Sequence, residues 1–257
     1  MLLDLDGVVY LGDSPVPGAA DVVDWLTREG IPFRFLTNTS SRPRAAIVAK
    51  LSSMGIPASD DDILTPAVAA MSWLRHHAPG RPALFVPAAT ASEFAELDPL
   101  PDEVEEGAGA VVVGDLGEAW DFATFNRAFR LLMAEPRPTL VALGLTRYWR
   151  ADDGLRLDAG AFVRALEYAA GTTAVVMGKP DRAFYETAVD GLELPADQAV
   201  MVGDDIRSDV EGAQRAGMTG VLVRTGKFTP ADLDGDVSPD AVLASVAELP
   251  DWWSRAG

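Results

Sequence analysis

The 257-residue sequence contains no cysteine, which excludes disulfides and thiolate chemistry. No apolar run approaches the roughly 18 residues that a membrane-spanning helix needs. The N-terminus has no basic segment followed by an apolar one, so no secretory signal is expected. The two histidines, His76 and His77, are adjacent on a predicted helix and point in different directions, which favours a solvated helix end over a metal site. These absences fit a cytoplasmic protein.

Positive charge is also scarce. Lysine and arginine number 21 against 39 aspartates and glutamates, which gives a net charge of −18. Binding to nucleic acid requires a basic face, and an anionic membrane surface would repel this chain. We therefore expect no nucleic-acid partner and no membrane partner. A small phosphorylated substrate is still compatible with the charge, provided that a metal and a few cations supply local positive charge.

Apolar segments alternate between strand and helix patterns along the chain, which predicts a parallel sheet covered on both faces. The middle of the chain has its own strands and helices and is too long to be a loop. We therefore predict an α/β fold with a doubly wound, Rossmann-like core at residues 1–66 and 174–257. An inserted α/β domain is predicted at residues 67–173. The first strand starts almost at Met1, so either it is very short or the true start lies upstream.

Two carboxylates, Asp4 and Asp6, stand at the end of the first predicted strand. Side chains two residues apart on a strand project to the same side, and Gly7 lets the backbone turn away. Two like charges this close stay ionised cheaply only beside a cation. A turn is the ordinary alternative, whereas a calcium loop lacks its later oxygen ligands here. The pair suggests a metal-assisted nucleophile beside a general acid.

Further polar residues follow the other strands of the predicted core, where an open α/β sheet binds its ligands. They are Thr37, Asn38, Lys179, Asp204, Asp205 and Asp209. Each has an ordinary alternative when taken alone. Thr37 could merely end a strand, Lys179 could be a solvated surface cation, and Asp209 could be an acid favoured at a helix N-terminus.

The ordered set of motifs resembles the haloacid dehalogenase (HAD) superfamily of phosphohydrolases. The motifs are Asp4-Leu5-Asp6-Gly7, Thr37-Asn38, Gly178-Lys179-Pro180, and Gly203-Asp204-Asp205 with Asp209. The large insertion is similar to the C2 cap of subfamily IIA, the NagD-like proteins. Three stretches also resemble the phospholysine phosphohistidine inorganic pyrophosphate phosphatase group: Arg147-Tyr148-Trp149, residues 157–170 and residues 199–227.

This resemblance, together with the chemistry of phosphate esters, predicts a Mg²⁺-dependent phosphatase. Asp4 and Asp204 would hold the ion, and the family adds the backbone carbonyl of Asp6 as a ligand. Asp4 would be the nucleophile that forms an aspartyl-phosphate, while Asp6 would serve as general acid and then as general base.

The remaining motif residues would support this reaction. Thr37 and the Asn38 backbone would hold phosphate oxygens, and Lys179 would offset charge in the transition state. Asp205 and Asp209 would contact a metal ligand or Lys179 and hold it in position.

The sequence leaves the substrate and some alternatives open. Phosphate monoesters, pyrophosphate and phosphoramidates are all candidates, and a homodimer is expected only from the resemblance. A phosphomutase would share the same acid pair, and a non-catalytic phosphate-binding module is a third hypothesis. Part of the stretch Arg147, Tyr148, Trp149 and Arg150 could contact the leaving group, or it could simply pack within the inserted domain.

Overall fold

The computed structural model describes residues 1–151 and 154–256, with the backbone alone for residues 149–151 and 256. Its strands are β1 (Leu2–Asp4), β2 (Tyr10–Leu11), β3 (Ser14–Pro15), β4 (Arg34–Leu36), β5 (Ile63–Leu64), β6 (Pro82–Phe85), β7 (Ala110–Val113), β8 (Thr139–Ala142), β9 (Tyr148–Ala151), β10 (Gly154–Leu157), β11 (Val175–Val176), β12 (Val200–Gly203), β13 (Thr219–Val223) and β14 (Ala241–Leu243). Its α-helices are α1 (Ala19–Arg28), α2 (Arg44–Ser53), α3 (Pro66–His77), α4 (Ala88–Ala91), α5 (Phe122–Leu132), α6 (Ala159–Ala170), α7 (Arg182–Asp190), α8 (Gly212–Arg215) and α9 (Leu249–Ala256).

The chain divides into two compact units. Unit 1 comprises Met1–Thr37, Arg44–Leu64 and Lys179–Gly257, and unit 2 comprises Asn38–Pro43 and Thr65–Gly178.

A parallel six-stranded sheet forms the centre of unit 1, in the order β14-β13-β12-β1-β4-β5. Strands buried on both faces need continuous apolar runs, and the sequences of β1 and β12 provide them. The chain builds outward from β1 through β4 to β5, and later resumes on the other side of β1 with β12, β13 and β14. The boundary between β1 and β12 is therefore the topological switch point of the sheet, where such folds bind ligands.

The helices of unit 1 cover this sheet with their apolar faces. In α1, Val22, Val23 and Leu26 lie at helical spacing and are buried in the core. Gly30 follows the helix with a positive φ of 66°, a conformation that glycine adopts without steric cost. Near the other end of the unit, Trp252 packs against the same core.

Unit 2 has its own parallel sheet, in the order β11-β8-β7-β6. The helices α5 and α6 bury Leu131 and Leu166 against it. Strands β9 and β10 pair antiparallel in a separate two-stranded sheet, with Tyr148 opposite Leu157. The side chains of Trp149 and Arg150, for which we predicted substrate contact as one alternative, lie outside the described residues.

The two parallel sheets with their covering helices confirm the predicted α/β fold class. Among the helices of the described residues, none has both the length and the apolar character needed to cross a membrane.

Candidate active site

A buried lysine connects two carboxylates at the carboxyl end of the unit 1 sheet. The Lys179 Nζ lies 2.6 Å from Asp4 Oδ1 and 2.7 Å from Asp209 Oδ1, and all three side chains are less than 10% exposed. Asp4 is here because it ends the central strand β1. A buried charge is stable only when it is paired, and this lysine is paired twice. The lysine ammonium thus holds one oxygen of Asp4 in a fixed position.

Asp204 follows β12 directly and therefore lies beside the end of β1. Its Oδ2 accepts a hydrogen bond from the Lys227 backbone N–H at 2.7 Å. Its Oδ1 is buried and has no hydrogen-bond partner within the described part of the chain. Because a buried carboxylate oxygen without a partner is costly, this atom indicates a ligand that the protein itself does not supply.

Two glycines leave just enough space for the Asp204 carboxylate. Gly7 has a φ of 89° and Gly226 a φ of 63°, and a Cβ built on either would lie 2.0 Å or 1.9 Å from Asp204 Oδ2. The Thr225 hydroxyl also donates a hydrogen bond to the Gly7 carbonyl. Residues 225–227, which we call the Asp204 clamp, therefore tie the loop after β13 to the loop after β1. The clamp fixes one oxygen of Asp204, while the other is buried without a hydrogen-bond partner in the described residues.

The acidic cluster has the composition of a site for a hard divalent cation. One carboxylate oxygen from each of Asp4, Asp204 and Asp209 lies within 4.8 Å of the other two. Burial raises the pKa of the Asp4 and Asp204 carboxyls above their usual values, and it raises that of Asp209 to about 6. Crowded carboxylates ionise fully only beside a cation. Together with the unpaired Oδ1 of Asp204, this donor set fits Mg²⁺.

Asp209 and Asp205 make contacts that hold the cluster in place. The second oxygen of Asp209 accepts the Asp205 backbone N–H at 3.1 Å, so both of its oxygens are used. Asp205 Oδ1 accepts the backbone N–H groups of Arg207 and Ser208, both at 3.0 Å, and so caps the helical segment Ile206–Glu211. Although burial opposes the effect, these hydrogen bonds hold the pKa of Asp205 below its usual value.

Asp6 differs from its neighbour Asp4 in being exposed. The Tyr10 hydroxyl lies 3.4 Å from Asp6 Oδ2 and is placed to donate a hydrogen bond to it. Thr37 is buried directly after β4, with its backbone N–H bound to the Leu64 carbonyl at 3.2 Å.

Asn38 is the one predicted site residue that falls in unit 2, where its Oδ1 lies against Gly178. The Asp204 clamp was not among the predicted site residues. Thr225 lies two residues after the end of strand β13, so the rule that placed Asp204 at the end of β12 indicates its position but not its contact with Gly7.

Two family signatures cover most of unit 1. Residues 1–98 match the family described as haloacid dehalogenase-like hydrolase, and residues 176–249 match the family described as HAD-hydrolase-like. The predicted motifs Asp4-Leu5-Asp6-Gly7 and Gly203-Asp204-Asp205 lie within these two matches.

Relatives and solved structures match nearly the whole chain. The human phospholysine phosphohistidine inorganic pyrophosphate phosphatase is 38% identical over 256 residues, which cover 98% of this chain and 92% of the human protein. The structure of 4-nitrophenylphosphatase from Thermotoga maritima has a TM-score of 0.84 at 28% identity, covering 97% of this chain and 95% of that one. NagD from E. coli K-12 shares the fold, with a TM-score of 0.85 at 23% identity and 96% coverage of each chain.

These matches confirm the predicted family and the NagD-like fold. The relative at 38% identity is itself named a phosphatase, and so is the neighbour at 28% identity. The chain therefore belongs to the haloacid dehalogenase-like hydrolase family and is one of its phosphatases.

Proposed function

We propose that the chain is a Mg²⁺-dependent phosphatase that hydrolyses a small phosphorylated metabolite through an aspartyl-phosphate on Asp4. The observation that carries this proposal is the buried Asp204 Oδ1, which has no protein partner among the described residues and lies in a cluster with Asp4. A carboxylate that is buried, oriented by a lysine and adjacent to a cation site is suited to attack phosphorus.

Asp4, Asp204 and the Asp6 backbone carbonyl would hold the Mg²⁺ ion. When bound, Mg²⁺ would neutralise charge on the phosphoryl oxygens, which otherwise repel an attacking carboxylate. Asp209 and Asp205 would keep these ligands in position through their hydrogen bonds within the cluster.

The reaction then proceeds in two displacements at phosphorus. A carboxylate oxygen of Asp4 forms a bond to phosphorus while the bond to the leaving oxygen breaks, and Asp6 gives that oxygen its proton. Asp6 next takes a proton from water, whose oxygen attacks phosphorus and displaces Asp4. The products are orthophosphate and the dephosphorylated leaving group, and the two aspartates return to their starting states.

Other residues would bind the phosphoryl group. The Thr37 hydroxyl and the Asn38 backbone would contact its oxygens, while Lys179 would offset the charge that develops in the transition state. Unit 1 would be the catalytic domain, and unit 2 would be the cap that selects the leaving group. The cap boundaries that we predicted at 67–173, the cytoplasmic location and the homodimer stay predictions.

The substrate class is a phosphate monoester, pyrophosphate or a phosphoramidate. The name of the human relative at 38% identity includes phospholysine, phosphohistidine and inorganic pyrophosphate, which supports testing the last two classes first.

A phosphate-release screen tests the proposal. Wild-type protein and the Asp4→Asn variant are assayed with p-nitrophenyl phosphate, pyrophosphate and a phosphoramidate, each with Mg²⁺ and with a chelator. The exposed Asp190 supplies a matched control, because Asp190→Asn makes the same change away from the cluster.

We expect release that requires Mg²⁺, is retained in Asp190→Asn and is lost in Asp4→Asn. Mass spectrometry of wild-type protein quenched during turnover should locate a phosphoryl group on Asp4. Full release in the chelator, or by Asp4→Asn, would contradict the proposal.

A further inference from the structure

Lysine is rare in this chain, yet two of its three lysines lie at the acidic cluster. The sequence has 18 arginines but only Lys50, Lys179 and Lys227. Lys179 is buried and already holds two carboxylates. Lys227 differs because its side chain is 66% exposed, with its Nζ 3.4 Å from Asp205 Oδ2. It is a cation that solvent, and therefore a substrate, can reach.

The backbone of Lys227 anchors this cation beside the catalytic centre. Its N–H binds Asp204 Oδ2 at 2.7 Å, so its Cα is fixed next to the cation site. A lysine ammonium is charged at neutral pH, so this anchored residue places a positive charge next to the acidic cluster.

An ion pair with Asp205 does not account for a lysine at this position. Asp205 Oδ1 already accepts two backbone N–H groups, and the pair with Lys227 is long and mostly exposed. Exposed ion pairs contribute little to stability. The Lys227 ammonium can therefore leave Asp205 at small cost when a more highly charged partner arrives.

We propose that Lys227 is a specificity-determining residue that binds the second phosphoryl group of a phosphoanhydride substrate such as pyrophosphate. This inference rests on the proposed function. A monoester leaves as an alcohol or a phenol, whereas pyrophosphate leaves as a second orthophosphate that carries several negative charges. In a protein of net charge −18, that leaving group needs a cation beyond those that hold the transferred phosphoryl.

Cleavage of pyrophosphate by this route requires no reactant besides the substrate, Asp4, Asp6 and water. An Asp4 oxygen bonds to the first phosphorus, and the bond from that phosphorus to the bridging oxygen breaks. The electron pair stays on the bridging oxygen, which receives the proton of Asp6 and departs with the second phosphorus as orthophosphate. Lys227 binds the non-bridging oxygens of that departing group through charge-assisted hydrogen bonds.

The test compares two substrates in variants of one residue. kcat/KM is measured for pyrophosphate and for p-nitrophenyl phosphate at fixed free Mg²⁺ in wild type, Lys227→Met and Lys227→Arg. Arg215→Met is the matched control, since Arg215 is 68% exposed and pairs with Glu211, which is not a member of the cluster. The melting temperature and the Mn²⁺ affinity of each variant are measured in parallel.

For Lys227→Met we expect kcat/KM for pyrophosphate to fall by about tenfold to a hundredfold more than kcat/KM for p-nitrophenyl phosphate, as for loss of a charge-assisted hydrogen bond. Lys227→Arg should recover part of the difference, and Arg215→Met should show none. An equal fall for both substrates, or a fall in Mn²⁺ affinity that explains it, would overturn the inference.

Wild-type behaviour separates this inference from the proposed function. Wild-type protein that hydrolyses p-nitrophenyl phosphate but not pyrophosphate would refute the role of Lys227 and leave the phosphatase proposal standing. Wild-type protein that releases phosphate from neither substrate would overturn both.

Discussion

Gly226→Ala should damage the metal site. A Cβ at this position would lie 1.9 Å from Asp204 Oδ2 and 2.6 Å from the Gly7 Cα, whereas ordinary contacts begin at 3.4 Å, so the carboxylate has to move by about 1.5 Å and the loop after β1 has to shift with it. Mg²⁺ accepts little error, because its ligands lie at about 2.0–2.1 Å in near-octahedral geometry. We expect metal affinity to fall by about tenfold to a hundredfold, which corresponds to about 1.4–2.7 kcal/mol.

A second glycine separates this steric effect from backbone strain. Gly30 has a φ of 66°, close to the 63° of Gly226, but a Cβ built on it meets nothing within 4 Å. Gly30→Ala therefore carries the same cost for a left-handed backbone, about 1–2 kcal/mol, without touching Asp204. Chemical denaturation of Gly30→Ala without metal measures the cost of the backbone conformation, and any larger cost in Gly226→Ala measures its clash with the Gly7 loop.

Metal affinity is measured by titrating each protein with Mn²⁺ and following the free ion by electron paramagnetic resonance. Gly226→Ala should bind weakly and lose phosphatase activity at low Mg²⁺, and Gly30→Ala should match wild type. If Gly226→Ala binds Mn²⁺ as tightly as Gly30→Ala does, the Asp204 clamp does not position a metal ligand and the reasoning is refuted.

Three further predictions concern the same cluster. Thr225→Val, which removes the hydrogen bond to the Gly7 carbonyl, should weaken Mn²⁺ binding by several-fold, and Thr225→Ser should restore it. Lys179→Met should lower the unfolding free energy by about 3–5 kcal/mol, because it leaves two buried carboxylates without their cation. Mg²⁺ at about a hundred times its Kd should stabilise the wild-type protein by about 2.7 kcal/mol in denaturation curves, and an Asp204→Asn variant should gain much less.

The Lys179 prediction has a defined pH range. Burial lowers the pKa of Lys179, but the carboxylates of Asp209 and Asp4 outweigh it and raise the pKa above its usual value of 10.5. A lysine whose pKa is raised on folding stabilises the protein fully below 10.5 and loses that effect only at higher pH. Urea denaturation should therefore show a loss for Lys179→Met that does not shrink between pH 7.5 and pH 9.

Any of these results could contradict the structure. Equal Mn²⁺ affinity in Thr225→Val and wild type would show that the hydroxyl is not needed to hold the loop. If the loss of unfolding free energy in Lys179→Met disappears between pH 7.5 and pH 9, the lysine is not paired with the two carboxylates as described. An Asp204→Asn variant that Mg²⁺ stabilises as much as wild type would place the ion elsewhere.

The sequence was sufficient to predict the sheet and much of the cluster, for a simple geometric reason. Asp4 and Asp204 each end an apolar run, and parallel strands bring their carboxyl ends to one edge. Periodicity alone therefore indicated their proximity, although 200 residues separate them.

The Asp204 clamp could not be predicted in the same way. The contact between the Thr225 hydroxyl and the Gly7 carbonyl depends on the conformations of two loops, and Thr225-Gly226-Lys227 reads as an ordinary turn. The unpaired Oδ1 of Asp204 also has no sequence signal, because it results from which oxygen the Lys227 N–H contacts. Strand periodicity thus predicts which residues lie at the edge of the sheet. The loop conformations decide which of their oxygen atoms remain available to bind a ligand.

The central position of β1 has a consequence for biosynthesis. Its partner β4 emerges from the ribosome soon after it. Strand β12, which pairs with its other edge, follows only after the residues between Leu36 and Val200 have been synthesised. At 5–20 residues per second that delay is roughly ten to thirty seconds. During this time one edge of β1 stays unpaired and open to wrong partners. Nascent chains should therefore depend on chaperone protection until the last third of the polypeptide arrives, and only then can they acquire activity.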